Sequence, residues 1–301
     1  MTRGTLNRGL SVLEWLAANS PGLSVKEIAT KLNIPASATH RILTELIQYG
    51  YVGQEQEYGK YFLTLKMCSL GLSQLSRGGV IDVAQPILDQ LARVSGEVAR
   101  LGVVDGEQLI WVAKAQGATG GLRFDPDMGG IAPLSCTASG HAWLACLSDE
   151  EAIRLVTKQG GLGKSTGDEG ENAPRTIAGL LQHLHKTRSR GYSILAEAVH
   201  VGIAAVAAPV THPVTGQAVA VLAIAGPHVR LTDKRMAQLG PVVVEAASNL
   251  AAASAASPLL RKINSNPDPL SKQVARRVKS TQPAKAHKGR SDAVRARPQP
   301  T

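Results

Sequence analysis

Residues 36–48 combine hydroxyl groups, an imidazole and a guanidinium at helical spacing. At about 100° per residue, Ser37, Arg41 and Thr44 fall on the face opposite an aliphatic stripe, and His40 lies at the edge of that polar face. Such groups can form hydrogen bonds with base edges and phosphates. The residues of this segment that we expect to contact DNA are Ser37, Thr39, His40, Arg41 and Thr44.

The elements that would position these side chains are two short helices within residues 24–50. The tripeptide Asn33-Ile34-Pro35 separates them. A proline suits a helix start, because the N–H that it lacks would have no partner there. Two short helices with a tight turn and a polar outer face are typical of a helix-turn-helix. The alternative is a helical hairpin of an enzyme, in which the polar face is only solvated.

The flanking segments extend this motif. Residues 5–18 predict an amphipathic third helix, whose apolar stripe is Leu6, Leu10, Leu13 and Leu16/Ala17. Residues 51–63 contain two β-prone runs around a polar, glycine-containing loop, which predicts a hairpin that would form the wing of a winged helix. Lys60 would then lie near the DNA backbone, and the alternative for Lys60 is an ordinary surface lysine.

The net charge of +10 is concentrated in one segment. Residues 258–301 carry 11 Lys/Arg and two Asp/Glu, whereas residues 1–66 have a net charge of +2 and residues 67–257 a net charge of −1. The same segment lacks aromatic residues and contains several prolines, so we expect a disordered tail. The tail could add salt-dependent phosphate contacts, and the alternative is a tail with only a solubilising effect.

Length and composition indicate two domains with aliphatic cores, because the 301 residues are 44% hydrophobic but only 3% aromatic. No signal peptide is recognisable, and no apolar run approaches the ~20 residues of a membrane span. The three cysteines, Cys68, Cys136 and Cys146, are odd in number and lack metal-site spacing. They fit a reducing compartment, so we expect a cytoplasmic protein.

The remaining chain predicts an α+β domain. The expected helices are residues 65–79, 80–95, 137–147, the helix capped by Ser148, 176–190 and 232–256, and the expected strands are residues 98–104, 109–113, 122–124, 192–195, 203–210 and 217–225. In the helix of residues 80–95 the apolar stripe is Val83, Ile87, Leu91 and Val94. Strands joined as hairpins, without βαβ alternation, favour an antiparallel sheet. Residues 158–173 are glycine-rich, and we expect them to be mobile.

Several sequence runs in the first 80 residues carry a family resemblance. NRGLSVLEWLA, GLSVKEIATKLNIPASATHRILTELIQYGYV and YGKYFLTLKMCSLG resemble the N-terminal domain of the isocitrate lyase regulator (IclR) family of bacterial transcription factors. The resemblance implies a winged helix-turn-helix that binds a double-stranded DNA operator. It also implies a homodimer or a dimer of dimers. One departure is Ala36, where the family usually has a lysine, so one phosphate contact is missing.

The second half carries the same resemblance. PLSCTASGHAWLA, RGYSILAEAVHVGIAAVAAPV and AVLAIAGPHVRLTD are similar to motifs of the family's C-terminal domain, which implies a GAF-like domain that binds a small organic-acid effector. The expected organisation is a DNA-binding domain at residues 1–66, a linker helix at 67–79, an effector-binding domain at 80–257 and the basic tail at 258–301.

The implied effector pocket lies on the sheet and is closed by the loop before the helix at Thr137. Ala138 and Ser139 begin that helix, where backbone N–H groups would bind a carboxylate. Family members that bind small keto-acids place an aspartate, a cysteine and two serines in this pocket. The corresponding residues here are Leu195, Ala205, Ala223 and Ala225.

This apolar replacement indicates an effector that is larger and more apolar than a small keto-acid, such as an aromatic or alicyclic carboxylate. Phe124 and Ile203 would add to the apolar lining. Arg100 interrupts the apolar run of residues 98–104 and could bind a carboxylate through two hydrogen bonds. The alternative is that Arg100 lies on the exposed face of its strand.

Two competing functions remain at this point. Cys136 precedes the helix at Thr137, where the helix dipole would lower the pKa of its thiol, so a hydrolase or a redox sensor is one alternative. A nonspecific, nucleoid-type DNA binder acting through the tail is the other. The sequence has no P-loop, dinucleotide fingerprint or metal-ligand spacing, and His183 and His185 should point in different directions. We therefore expect no cofactor, no metal and no enzymatic activity.

Overall fold

The computed structural model describes residues 4–19, 21–163, 170–253 and 257, all within one unit that spans residues 1–264. The expected basic tail and part of the glycine-rich segment 158–173 lie outside the described residues. Within the described ranges, no helix is both long and apolar enough to cross a membrane.

The N-terminal part contains three helices and a hairpin. These are α1 (Thr5–Ala17), α2 (Val25–Leu32), α3 (Ala36–Gln48), β1 (Val52–Gln54) and β2 (Tyr61–Leu63). The two strands pair antiparallel, and a small core joins all five elements. That core consists of Val12, Leu16, Ile28, Ile42, Leu43, Val52 and Tyr61. The winged helix-turn-helix expected from the sequence is therefore confirmed.

Local hydrogen bonds explain where α2 and α3 begin. The hydroxyl of Ser24 accepts a bond from the backbone N–H of Glu27, and the Glu27 carboxylate accepts one from the Ser24 N–H. This capping box satisfies two N–H groups that would otherwise lack partners. Asn33 ends α2 in the left-handed region (φ 51°), which asparagine tolerates well, and Pro35 precedes α3. The chain thus reverses within three residues.

The apolar stripe predicted for α1 is wrong in part. Leu6 is 78% exposed and Leu10 is also exposed, whereas Val12 and Leu16 are buried. Leu13 packs partly against the same core. Leu6 and Leu10, in the N-terminal half of α1, therefore do not belong to the small core.

Two helices lead into the second half: α4 (Leu65–Gly78) and α5 (Val80–Ser95). On α5, Val80, Ala84, Leu88, Leu91 and Ala92 are buried. The stripe expected from the sequence is wrong at Val94, which is 49% exposed. Because α5 packs against both the sheet and a later helix, its buried face is wider than the single predicted stripe and is rotated away from Val94.

The second half is an α+β fold built on one antiparallel sheet. Its strands are β3 (Val98–Asp105), β4 (Gln108–Gln116), β5 (Ser193–Ala196), β6 (Ile203–Thr211) and β7 (Ala218–Pro227), in the order β4-β3-β7-β6-β5. Its helices are α6 (Ala138–Leu144), α7 (Asp149–Gln159), α8 (Ile177–Arg190) and α9 (Asp233–Ala253). One sheet face packs against α5 and α9, and the other packs against α6, α7 and α8.

The strand expected at residues 122–124 is not formed. Residues 117–131 run as a loop, which we call the covering loop, and Leu122 is largely exposed. Two side chains donate hydrogen bonds to backbone oxygens of the covering loop. Gln116 Nε2 donates to Phe124 O at 3.0 Å, and Arg230 Nη2 donates to Leu122 O at 2.8 Å. These donors take the place of a neighbouring strand, so a β-prone tripeptide remains irregular.

Candidate functional site

The outer face of α3 presents the polar groups expected to contact DNA. Ser37, His40, Arg41 and Thr44 are all exposed. The Thr44 hydroxyl donates to the backbone oxygen of His40 at 2.9 Å, which directs the hydroxyl along the helix and leaves its lone pairs accessible. We call these four side chains the recognition surface. It carries donors and acceptors of the kinds that read base edges in the major groove.

Thr39 does not belong to this surface, which corrects its selection from the sequence. Its side chain is fully buried, and its hydroxyl donates to the backbone oxygen of Pro35 at 3.1 Å. The residue therefore fastens the first turn of α3 instead of facing outward. The hydroxyl suggested a polar role, but the helix rotation that directs Ile42 and Leu43 inward also takes Thr39 inward.

Lys60 is only half exposed and lies near the start of α2. The pKa of the Glu27 carboxyl is lowered chiefly by its hydrogen bonds with Ser24, and the positive charge of Lys60 contributes to the same shift. The ammonium group of Lys60 therefore interacts electrostatically with the Glu27 carboxylate. Its expected contact with the DNA backbone remains a proposal.

The remaining predicted residues lie mainly on the sheet face that packs against α6, which we call the inner face. Directly paired residues on adjacent strands share a face, so the pairing register assembles two rows across the sheet. The first row is Val98, Ala225, Ala205 and Leu195, and the second is Arg100, Ala223, Ala207 and Ser193. Ile203 lies two residues before Ala205 on the same face. Four separate sequence segments thus form one surface.

Arg100 is buried, so the alternative of an exposed strand face is excluded. It is only 8% exposed, and its guanidinium carbon lies 3.6 Å from the ring centroid of Trp111. Its Nη2 donates to the backbone oxygen of Asp127 at 3.4 Å, and its buried Nε has no hydrogen-bond partner. Burial lowers the pKa of the guanidinium from its ordinary value to about 10. The group therefore remains a cation near neutral pH.

The covering loop lies over this arginine. Lys114 Nζ donates to the Asp125 carboxylate at 2.7 Å and to the backbone oxygen of Pro126 at 2.9 Å. The Phe124 ring lies 6.3 Å from the ring of His200, in the segment between β5 and β6. Phe124 is half buried, and its contact with an effector remains a proposal. The loop thus supplies one side of a candidate effector site.

The start of α6 is less well suited to binding an anion than the sequence indicated. Ala138 and Ser139 are both buried, and α6 has only seven residues. The Thr137 hydroxyl already accepts a hydrogen bond from the Gly140 N–H at 2.8 Å. A helix of two turns has a small dipole, so its attraction for a carboxylate is weak. The contact of Ala138 and Ser139 with an effector remains a proposal.

The chemistry considered for Cys136 finds no support in its surroundings. Its side chain is 1% exposed, so a substrate has no access to the sulfur. The nearby His141 is fully buried, and its Nε2 bonds to the backbone oxygen of Ser135 at 2.8 Å. His183 faces His141, whereas His185 bonds to Asp149, so the two differ in direction as expected. Among the residues that the structure describes, no three His, Cys, Asp or Glu side chains could hold a metal ion.

The sequence interpretation missed Trp111 as a member of the site. A β-bulge lies where Leu101 pairs with Ala113 but Gly102 pairs with Trp111, so one extra residue is present on β4. As a result Leu109 and Trp111 belong to the inner core, whereas Ala113 and Ala115 belong to the opposite core. A regular alternation would have placed all four on one face. No signal in the strand pattern marks this bulge.

Both halves of the chain match models of one protein family. Residues 5–56 match the IclR helix-turn-helix domain, and residues 72–252 match the C-terminal domain of the bacterial transcriptional regulator IclR. The acetate operon repressor of Salmonella typhimurium is 32% identical over 254 residues, which cover 82% of this chain and 88% of the repressor.

Solved structures of the same fold include two relevant relatives. The crystal structure of Thermotoga maritima IclR is 26% identical, with a TM-score of 0.65 and coverage of 83% of this chain and 98% of that chain. An IclR homologue from Microbacterium hydrocarbonoxydans, solved in complex with 4-hydroxybenzoate, is 20% identical, with a TM-score of 0.66 and coverage of 84% of this chain and 100% of that chain.

Proposed function

The chain belongs to the IclR family of bacterial transcriptional regulators, and on this premise we propose that it is a cytoplasmic repressor whose operator binding is controlled by an apolar organic acid. Membership in the family makes it a DNA-binding regulator with a C-terminal ligand-binding domain and not an enzyme. What remains to be proposed is how DNA is contacted, how many copies bind and which acid is recognised.

For DNA contact, we assign the recognition surface of Ser37, His40, Arg41 and Thr44. These four residues project from α3, the second helix of the helix-turn-helix, which is the helix that enters the major groove in this motif. Arg41 is the strongest candidate for base recognition, because a guanidinium can donate two hydrogen bonds to one guanine. Ala36, at the start of α3, has only a methyl group and cannot bind a phosphate of the DNA backbone.

For assembly, we assign a homodimer that binds a palindromic operator, with a dimer of dimers as a further possibility. One recognition helix reads too few base pairs to find one site in a genome, so two copies are needed. Exposed aliphatic side chains on α1 and α4 support an interface between copies, because such groups are costly to leave in water. These side chains are Leu6, Leu10, Leu65, Leu70 and Leu72.

For the effector, the row of Leu195, Ala205 and Ala225 is the observation that carries the proposal. The three residues are direct neighbours across β5, β6 and β7, and none offers a polar side-chain atom. A hydroxy- or keto-acid of two or three carbons would lose its hydrogen bonds to water on such a surface without replacement. A ring or a branched aliphatic group would gain from burial there.

The small side chains of Ala205 and Ala225 lie on the inner face of the sheet. Ile203 extends the apolar surface towards the start of β6. We assign Phe124, on the covering loop, to pack against the ring of the effector. The Microbacterium homologue complexed with 4-hydroxybenzoate has the same fold, so an aromatic carboxylate is compatible with it. We therefore propose an aromatic or alicyclic carboxylate as the effector.

A thermal-shift comparison tests this proposal on the full-length protein. Benzoate and cyclohexanecarboxylate should raise the melting temperature, whereas pyruvate and glyoxylate at equal concentration should leave it unchanged, since only a ligand that binds the folded state stabilises it. The acids that stabilise the protein should also release it from an operator selected from random DNA. A larger stabilisation by pyruvate or glyoxylate would contradict the proposal.

A further inference from the structure

We propose that Arg100 is the carboxylate-binding residue of the inner face and that it restricts the effector to monocarboxylates. This inference rests on the proposed function, because it assumes that the inner face receives an organic acid. It goes further by naming the residue that binds the carboxylate of the ligand and the number of carboxylates that the site accepts. Arg100 lies on β3, whereas the family resemblance placed carboxylate binding at the start of α6.

The state of Arg100 is the first observation. A guanidinium has five N–H donors, and burial removes the water that would otherwise accept from them. The described protein groups provide one long hydrogen bond, from Nη2 to Asp127 O at 3.4 Å, while Nε is buried without a partner. Within the described residues no carboxylate forms an ion pair with Arg100. An anionic ligand would supply the hydrogen-bond acceptors and the negative charge that the described protein groups do not provide.

The orientation of Arg100 is the second observation. Its guanidinium stacks on Trp111, with 3.6 Å between the guanidinium carbon and the ring centroid. Stacking holds the plane of the group without using its N–H donors, so its edges remain available for an acceptor. A carboxylate that approaches such an edge can accept two parallel hydrogen bonds. A rigidly held fork loses little conformational freedom when it binds.

The position of Arg100 is the third observation. It pairs directly with Ala223, and Ala223 lies two residues from Ala225 on the same face. A ligand whose carboxylate meets Arg100 would therefore extend its apolar part along the alanines towards Leu195. This arrangement has a single cationic end followed by an apolar surface, with the Ser193 hydroxyl at the far end of the row.

The neighbouring charges decide how many anionic groups the ligand can carry. Lys114, the direct partner of Arg100 on β4, is held by the Asp125 carboxylate and by the backbone oxygen of Pro126, which keeps its ammonium group at the covering loop. A second carboxylate on the ligand would lie over alanine and leucine side chains and the Ser193 hydroxyl. One neutral hydroxyl does not offset the desolvation of a second negative charge. A dicarboxylate should bind more weakly than the matching monocarboxylate for this reason.

Isothermal titration of the full-length protein with three ligands of one shape tests the inference. We expect benzoate to bind, and we expect its neutral analogue benzamide and the dicarboxylate terephthalate to bind at least about thirtyfold more weakly. The Arg100→Met variant should lose at least about thirtyfold in benzoate affinity while its benzamide affinity changes little. Arg93→Met, at an exposed position on α5, is the matched control and should bind benzoate like the unchanged protein.

The outcomes separate this inference from the proposed function. If benzoate and terephthalate bind equally well, or if Arg100→Met keeps benzoate affinity within about threefold, the assignment of Arg100 is overturned while the apolar effector class stands. If cyclohexanecarboxylate, benzoate and benzamide all fail to bind the unchanged protein, the proposed effector class fails and the inference fails with it. The ligand comparison on the unchanged protein keeps the test valid even if Arg100→Met does not fold.

Discussion

The carboxylate of Glu97 accepts two hydrogen bonds from Arg230, which lies 133 residues later in the chain, at 2.5 Å from Nε and 2.9 Å from Nη2. Glu97 is almost fully buried beside the first residue of β3, and Arg230 follows β7. The Nη2 of Arg230 also holds the covering loop at Leu122 O. One ion pair thus joins the ends of the inner strands β3 and β7 to the loop that lies over Arg100.

Loss of Arg230 should therefore cost more stability than loss of the Glu97 charge. Arg230→Met leaves a buried carboxylate without its partner, and we expect it to lower the free energy of unfolding by about 3 kcal/mol. Glu97→Gln removes the charge but keeps an acceptor, and it should cost less. Arg123→Met, which breaks an exposed pair with Asp125, is the control. Urea unfolding measures all three variants, and equal losses for Arg230→Met and Arg123→Met would contradict this account.

Operator recognition should depend on Arg41 and not on Thr39. Arg41→Ala removes an exposed guanidinium from α3 and should weaken binding to a selected operator by about 1–3 kcal/mol, with reduced discrimination between sequences. Thr39→Val should retain operator affinity, because Thr39 is buried, but should lower stability by about 1 kcal/mol through the lost bond to Pro35. Fluorescence anisotropy with labelled operator measures the affinities. Full affinity in Arg41→Ala would rule out the proposed recognition surface.

Stability should decrease in mild acid because of His141. Burial lowers its pKa from 6.5 to about 4, the bond to Ser135 opposes this shift, and the charge of His183 adds to it. Between these two pKa values the unfolded chain binds a proton that the folded chain does not, so the free energy of unfolding falls as the pH falls from 6.5 towards 4. We expect a loss of about 2 kcal/mol between about pH 7.5 and about pH 5.

The variant His141→Gln should reduce this pH dependence, because glutamine can donate to Ser135 but does not titrate. Part of the dependence should remain, since burial also lowers the pKa of His183. Urea unfolding at the two pH values gives the result. An identical acid loss in His141→Gln and the unchanged protein would show that His141 is not its source.

Two glycines should respond in opposite directions to the same substitution. A Cβ on Gly140 would lie 2.6 Å from the Cα and 2.7 Å from the backbone oxygen of Leu134, so Gly140→Ala must separate α6 from the preceding loop and should destabilise the protein. Gly71 lies within α4 with open space around its missing Cβ. Gly71→Ala should stabilise by about 0.5–1 kcal/mol through helix propensity. Thermal unfolding distinguishes the two cases, and a stabilised Gly140→Ala would contradict the close contact.

Local sequence signals predicted the elements well because they arise from neighbouring residues. The break at Asn33-Ile34-Pro35 and the helix cap at Ser148 each act within a few residues, and the structure contains both. Predictions about which face is buried were weaker. Leu6 and Val94 fit helical periodicity, yet both are exposed, since periodicity does not specify where a packing partner ends.

The sequence by itself determined the winged helix-turn-helix, the antiparallel α+β domain and the outward polar groups of α3, because these follow from periodicity, turn residues and capping over short distances. Only the tertiary structure decided the burial of Thr39 and the surroundings of Arg100. Arg100 meets Trp111 through a β-bulge, and it aligns with Ala223 through pairing with a strand more than 100 residues away. Register and bulges depend on the packing of the whole sheet, so a buried cation facing an apolar row is a property of the fold.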